Sequence, residues 1–105
     1  MALEVNLNAD LASDFSHGRT VVSQTAIQVI TGGIGAVKKG VQIKRGPKGK
    51  GTVYIGKAGV TAGDTVATDG MPIQAGEGVF LPIDDPTLVY AIGTDNNLDL
   101  FWAVI

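Results

Sequence analysis

The chain has 105 residues, a net charge of −2 and no cysteine. That length suits one domain, and the missing cysteines exclude a disulfide framework and any thiolate metal site. Charged residues make up 17% and apolar residues 45%; charge is below the roughly 25% typical of soluble domains, so a partner subunit is expected to cover some of the apolar surface.

Residues 1–18 differ from the rest. Leu3, Val5 and Leu7 alternate weakly, and a polar stretch, Ala12–Gly18, follows. This reads as an edge strand or as an extended N-terminal arm that reaches a neighbour, with residues 19–105 forming the folded domain. Met1–Asp10 lacks the basic start and apolar stretch of a secretion signal. No apolar run approaches the ~20 residues of a spanning helix, so no membrane partner is expected.

Beyond the arm, glycines separate short runs rich in Val, Ile, Thr and aromatics. Strands are predicted at Thr20–Gln24, Ala26–Thr31, Gly40–Arg45, Gly51–Gly56, Glu77–Ile83, Thr87–Gly93 and Asp99–Ile105. Gly32-Gly33, Gly46-Pro47, Gly63-Asp64, Asp69-Gly70, Asp85-Pro86 and Asp95-Asn96-Asn97 supply the turns. No 3.6-residue apolar period persists for three turns. The fold class is therefore all-β: an antiparallel β-sandwich or barrel, jelly-roll-like, with an extended N-terminal arm.

Two of these strands are apolar on both sides. Val79, Leu81 and Ile83 alternate with Phe80; Leu100, Trp102 and Val104 alternate with Phe101, Ala103 and Ile105. A strand of a solvated antiparallel sheet carries polar residues on its outward face. Phe80 and Phe101 are thus candidate partner contacts, together with Leu3, Val5 and Leu7 of the arm.

Charge is segregated along the chain. All eight Lys and Arg residues lie between Arg19 and Lys57, and from Asp64 onward there are seven acids and no base. Lys44, Arg45, Lys48 and Lys50 are candidate contacts for an acidic partner surface or for nucleic acid. Gly46-Pro-Lys-Gly-Lys-Gly51 is not a phosphate loop. Its glycines are misspaced, Gly51 stands where Ser or Thr is needed, and a strand follows instead of a helix. It reads as a flexible basic hairpin connection. Thr31-Gly-Gly-Ile-Gly35 fails the dinucleotide fingerprint, since Lys38 occupies the third glycine position.

Catalytic constellations are not found. His17 is the one histidine, with no rigid base–nucleophile arrangement around it, so no enzyme activity, cofactor or metal is expected. Asp84-Asp85-Pro86-Thr87 reads as a turn whose side chains bond their own backbone. Tyr54 is the one aromatic in the basic segment, a thin basis for single-strand binding; nucleic acid is not the expected partner. A sugar-binding module would use Tyr54, Phe80, Tyr90 or Trp102.

The stretch Gly51-Thr-Val-Tyr-Ile-Gly-Lys-Ala-Gly-Val-Thr61 is followed by Pro72-Ile-Gln-Ala-Gly-Glu-Gly-Val-Phe-Leu-Pro-Ile-Asp-Asp85, by Leu88-Val-Tyr-Ala-Ile-Gly93 and by Trp102-Ala-Val-Ile. In this order it resembles small virion proteins of tailed bacteriophages. The resemblance is looser over Thr20–Arg45 and absent from residues 1–18. It implies a β-sandwich that assembles on a particle: a capsid decoration (cement) protein that binds the outer shell and stabilises it. The implied partners are the major capsid protein or other virion proteins and further copies of the chain, with a trimer favoured. The implied location is the virion, after synthesis in the host cytoplasm. A tail, neck or fibre component is the alternative within the same class; a carbohydrate- or nucleic-acid-binding module is the alternative outside it.

Overall fold

Alternating apolar residues and glycine-rich turns produce eight strands in the computed structural model, which describes residues 15–32 and 39–105. They are β1 (Ser16–Val22), β2 (Ile27–Gln28), β3 (Val41–Arg45), β4 (Val53–Gly56), β5 (Met71–Ile73), β6 (Gly78–Leu81), β7 (Tyr90–Gly93) and β8 (Leu98–Val104). A 3-10 turn, Pro86–Leu88, precedes β7. Among the described residues no helix is long and apolar enough to cross a membrane.

The strands form two four-stranded sheets with the orders β1-β8-β3-β6 and β2-β7-β4-β5. Every named strand pair is antiparallel. Consecutive strands alternate between sheets over much of the chain, which is the jelly-roll arrangement of a two-sheet sandwich. Among the described residues each sheet keeps two edges, the arrangement of a sandwich and not of a closed barrel.

The sheets share one apolar layer. Val22, Val41, Ile43, Leu98, Leu100 and Val104 from the first sheet meet Val53, Ile55, Ile73, Val89 and Ala91 from the second side, all buried. Period-two alternation sends every second residue of each strand into this layer.

Element boundaries moved where local chemistry competed with pattern. β1 begins at Ser16, so residues 16–18 belong to the sheet despite their polar composition. β5 was not predicted, and its Pro72 removes a ladder donor. It survives because β5 is an edge strand, where a missing N–H can face away from the partner. The stretch predicted as one strand over Thr87–Gly93 opens with the 3-10 turn. There the Asp85 carboxylate accepts a hydrogen bond from Thr87 N at 3.0 Å, the local bonding expected of the Asp-Asp-Pro-Thr turn.

The connection 46–52 is not a hairpin, since β3 and β4 lie in different sheets. Nor is it loosely held. At this end of the sandwich Gln74 Nε2 donates to Thr52 Oγ1 at 3.0 Å, Thr52 N donates to Thr94 Oγ1 at 2.9 Å, and Asn97 N donates to Ser23 Oγ at 3.2 Å. These bonds knit the four loops 23–26, 46–52, 74–77 and 94–97.

Candidate interaction surface

The outward face of the β1-β8-β3-β6 sheet collects the candidate contacts that lie in the domain. Cross-strand registers lay out two rows across all four strands. One is Arg19–Phe101–Lys44–Gly78; the next is His17–Ala103–Gln42–Phe80. Facing residues in antiparallel strands share one side of the pleat, so Lys44, Phe80 and Phe101 stand together. Phe101 is 45% and Phe80 44% exposed. Phe15, 60% exposed, precedes β1 with its ring centroid 6.0 Å from that of His17. All three phenylalanines of the chain are therefore out of the core.

Glycines let these rings lie down. A Cβ on Gly40 would stand 2.8 Å from Phe80 Cζ, and one on Gly46 would stand 3.2 Å from Phe101 Cε2. The result is a low face with a shallow depression of about 250 Å³, lined by His17, Gln42, Lys44, Phe101 and Ala103 among others. Four strands at ~4.8 Å and six residues at ~3.3 Å give a face of roughly 20 Å by 20 Å. That is about 400 Å² of mixed apolar and polar surface, about half of one partner's share of a standard interface.

Basic side chains lie on the face and beside it. Arg19 is held by Asp99, with Arg19 Nη2 2.7 Å from Asp99 Oδ1. Lys44 has no carboxylate partner among the described residues. Lys48 and Lys50 are exposed in the adjoining loop, which leaves β3 at Gly46 beneath the Phe101 ring.

Arg45 corrects the sequence reading. It is fully buried, not a partner contact. Its place on β3 gives the reason: alternation turns Lys44 outward and Arg45 inward with Ile43 and Val41. The guanidinium donates to backbone carbonyls of Gly49, Lys50, Gly51 and Ile73, while Nε has no partner. Three carbonyls of the basic loop are thus wrapped around one buried cation. Gly49 (φ 96°) and Gly51 (φ 90°) supply the left-handed backbone that aims them inward. Arg45 fixes the loop that displays Lys48 and Lys50.

Leu3, Val5 and Leu7 lie outside the described residues. The aromatic candidates for sugar binding do not form one platform. Tyr54 and Tyr90 project from the outward face of the other sheet, Phe80 lies on the first, and Trp102 is half-buried, its Nε1 donating to Thr20 Oγ1 at 3.2 Å. His17 and Arg19 were missed as contributors to the face. The alternation His17-Arg19-Val21 was a usable signal, hidden because the strand was expected to start at Thr20.

A second organised feature is the 57–70 loop between β4 and β5. The Asp69 carboxylate accepts from Thr61 Oγ1, from Thr65 N at 2.9 Å and from Val66 N at 3.0 Å. The Thr61 hydroxyl and then the Val66 amide hold its pKa below the ordinary value of 3.8, partial desolvation opposes them, and the Thr65 amide adds to the lowering. These bonds close the loop on itself. Among the described residues no three His, Cys, Asp or Glu side chains converge as a metal site would require.

Comparisons with family models, with curated proteins and with solved structures each find no match.

Proposed function

We propose that this chain is a non-catalytic virion structural protein of a tailed bacteriophage, of the capsid-decoration type, which docks on the shell through its Phe80–Phe101 face and stabilises it. The observation that carries the proposal is that face: an outward sheet surface with two exposed phenylalanines, glycine and alanine spacers, and basic side chains on it and beside it. Exposed aromatic side chains beside basic ones are enriched at protein contact sites, and Lys44, Lys48 and Lys50 would steer an acidic surface toward them. The sequence resemblance over Gly51–Ile105 supports the virion assignment. The jelly roll is compatible with it, being shared by viral capsid proteins, lectins and cupins, although a fold alone assigns no role.

The test is co-sedimentation of the purified chain with phage heads that lack it, combined with heat release of the packaged DNA. The wild-type chain is expected to bind and to raise the temperature of release. A Phe80→Ser/Phe101→Ser variant should fold normally and fail in both respects. No binding by the wild-type chain would overturn the decoration role, and density at the neck or tail of an imaged particle would replace it with the alternative virion position.

A further inference from the structure

Asp69-Gly70 is the chain's one Asp-Gly pair, and no Asn-Gly occurs. In an open chain this dipeptide isomerises readily, because glycine has no side chain to shield its nitrogen from the preceding carboxyl group. The reaction is an internal acyl transfer. The Gly70 nitrogen attacks Asp69 Cγ, the carboxyl OH and the amide proton leave together as water, and a succinimide ring forms. Water then opens the ring. Attack at Cγ restores aspartate, whereas attack at the main-chain carbonyl leaves Gly70 joined to Cγ as isoaspartate, with one extra methylene in the backbone.

The fold requires both residues. A Cβ on Gly70 would stand 2.6 Å from Ile55 O and 2.7 Å from Val60 Cγ2, so packing against the Ile55 carbonyl excludes a side chain there. The Asp69 carboxylate closes the 57–70 loop by accepting from Thr61 Oγ1, Thr65 N and Val66 N. Packing fixes the glycine and turn chemistry fixes the aspartate.

The same contacts disarm the pair. The nucleophile is engaged, since Gly70 N donates to Thr61 O at 3.0 Å. The electrophile is engaged as well. Both oxygens of the Asp69 carboxylate accept hydrogen bonds, which favour the ionised form over the carboxylic acid that must lose OH. Thr61 thus holds one partner with its carbonyl and the other with its hydroxyl. It is itself fixed to the far side of the loop, where its N–H donates to Thr68 O at 3.0 Å and its hydroxyl lies 2.9 Å from that of Thr68. Ring closure requires the Gly70 nitrogen to leave Thr61 O and turn toward Cγ, so the loop must open first.

We infer that Asp69-Gly70 is an isoaspartate site held closed by Thr61: the folded loop protects it, and opening of residues 57–70 starts an isomerisation that closing does not undo. The irreversibility comes from space. Gly70 lies against Ile55 O and Val60 with no room for one more carbon, so a backbone lengthened by a methylene cannot restore the Met71–Ile55 pairing at the start of β5. Modification at this one turn releases the edge strand of the second sheet.

The experiment incubates the folded chain, the chain unfolded in urea, and the folded Thr61→Val and Thr61→Ser variants at physiological pH and temperature. Isoaspartate at position 69 is counted by peptide mapping with isoaspartate-specific methylation, because the mass does not change. The folded chain should isomerise at least about tenfold more slowly than the unfolded one, and Thr61→Val about tenfold faster than the folded wild type, the shift in loop opening expected from losing one hydrogen bond to a charged group. Thr61→Ser keeps the hydroxyl and should stay at the wild-type rate. If Thr61→Val does not fold, hydrogen exchange at Gly70 N–H and isomerisation of the wild type should rise in parallel across low urea concentrations. Folded chain that has isomerised should be cut by trypsin after Lys57 faster than unmodified chain. Isomerisation of the folded wild type as fast as that of the unfolded chain overturns the inference. So does a folded Thr61→Val with the wild-type rate, or exchange and isomerisation that diverge; unchanged cleavage after Lys57 overturns the release of β5.

Discussion

Replacing Arg45 by Met removes the guanidinium and keeps most of the side-chain volume. Four carbonyls lose a charged donor, and a hydrogen bond to a charged group contributes about 1.5–3 kcal/mol net. The four do not add in full. Contacts to Gly49, Lys50 and Ile73 are long, at 3.3–3.4 Å, and the loop carbonyls regain water once the loop opens. Removing a buried cation with an unpartnered Nε also returns some desolvation cost. The balance is a loss of about 2–3 kcal/mol. At about 4–8 °C per kcal/mol, appropriate to a domain near 100 residues, Tm should fall by roughly 10–20 °C. Arg45→Lys keeps the charge but not the planar fork, so it should fall between the two. The specific signature is local: trypsin should cut after Lys48 and Lys50 much faster in Arg45→Met than in wild type, at temperatures where both are folded. Unchanged cleavage with stability within about 0.5 kcal/mol of wild type would refute the carbonyl cage as the reason the loop is fixed.

Three further outcomes follow from the geometry. Gly40→Ala should cost more than about 2 kcal/mol, since a Cβ there would meet the Leu81 carbonyl oxygen at 2.3 Å with φ at 152°, whereas Gly59→Ala (φ 88°, nothing within 4 Å) should cost only the ~1–2 kcal/mol of left-handed strain; urea denaturation of the pair checks the contrast. The Asp69 carboxyl titrates below 3.8 in the folded chain, so its stabilising effect on the 57–70 loop should be complete above the unfolded value and fade as pH falls through the lowered one. A folded-state NMR titration midpoint at or above 3.8 would contradict this. Arg19→Ala should change stability by less than about 1 kcal/mol in chemical denaturation, because its ion pair with Asp99 is solvent-exposed.

The candidate surface was legible in the sequence only in part. Phe80 and Phe101 stood out because each occupies the wrong side of an alternating strand, and the structure exposes both. That they share one face with Lys44 was not readable, because β6 and β8 meet only through β3, about 40 and 60 residues away along the chain. Arg45 shows the converse limit. Basic composition groups it with Lys44, Lys48 and Lys50, whereas its position in the pleat sends it inward.

What the sequence by itself determined is the all-β class, most strand positions and the turn at Asp84–Thr87, since period-two alternation and turn chemistry are local properties of the chain. Tertiary structure alone decided the jelly-roll strand order, the admission of Pro72 into an edge strand, the burial of Arg45 and the meeting of Phe80 with Phe101. Those depend on which strands become neighbours, and strand pairing is fixed by packing both sheets over one shared core, a long-range condition that no local pattern encodes.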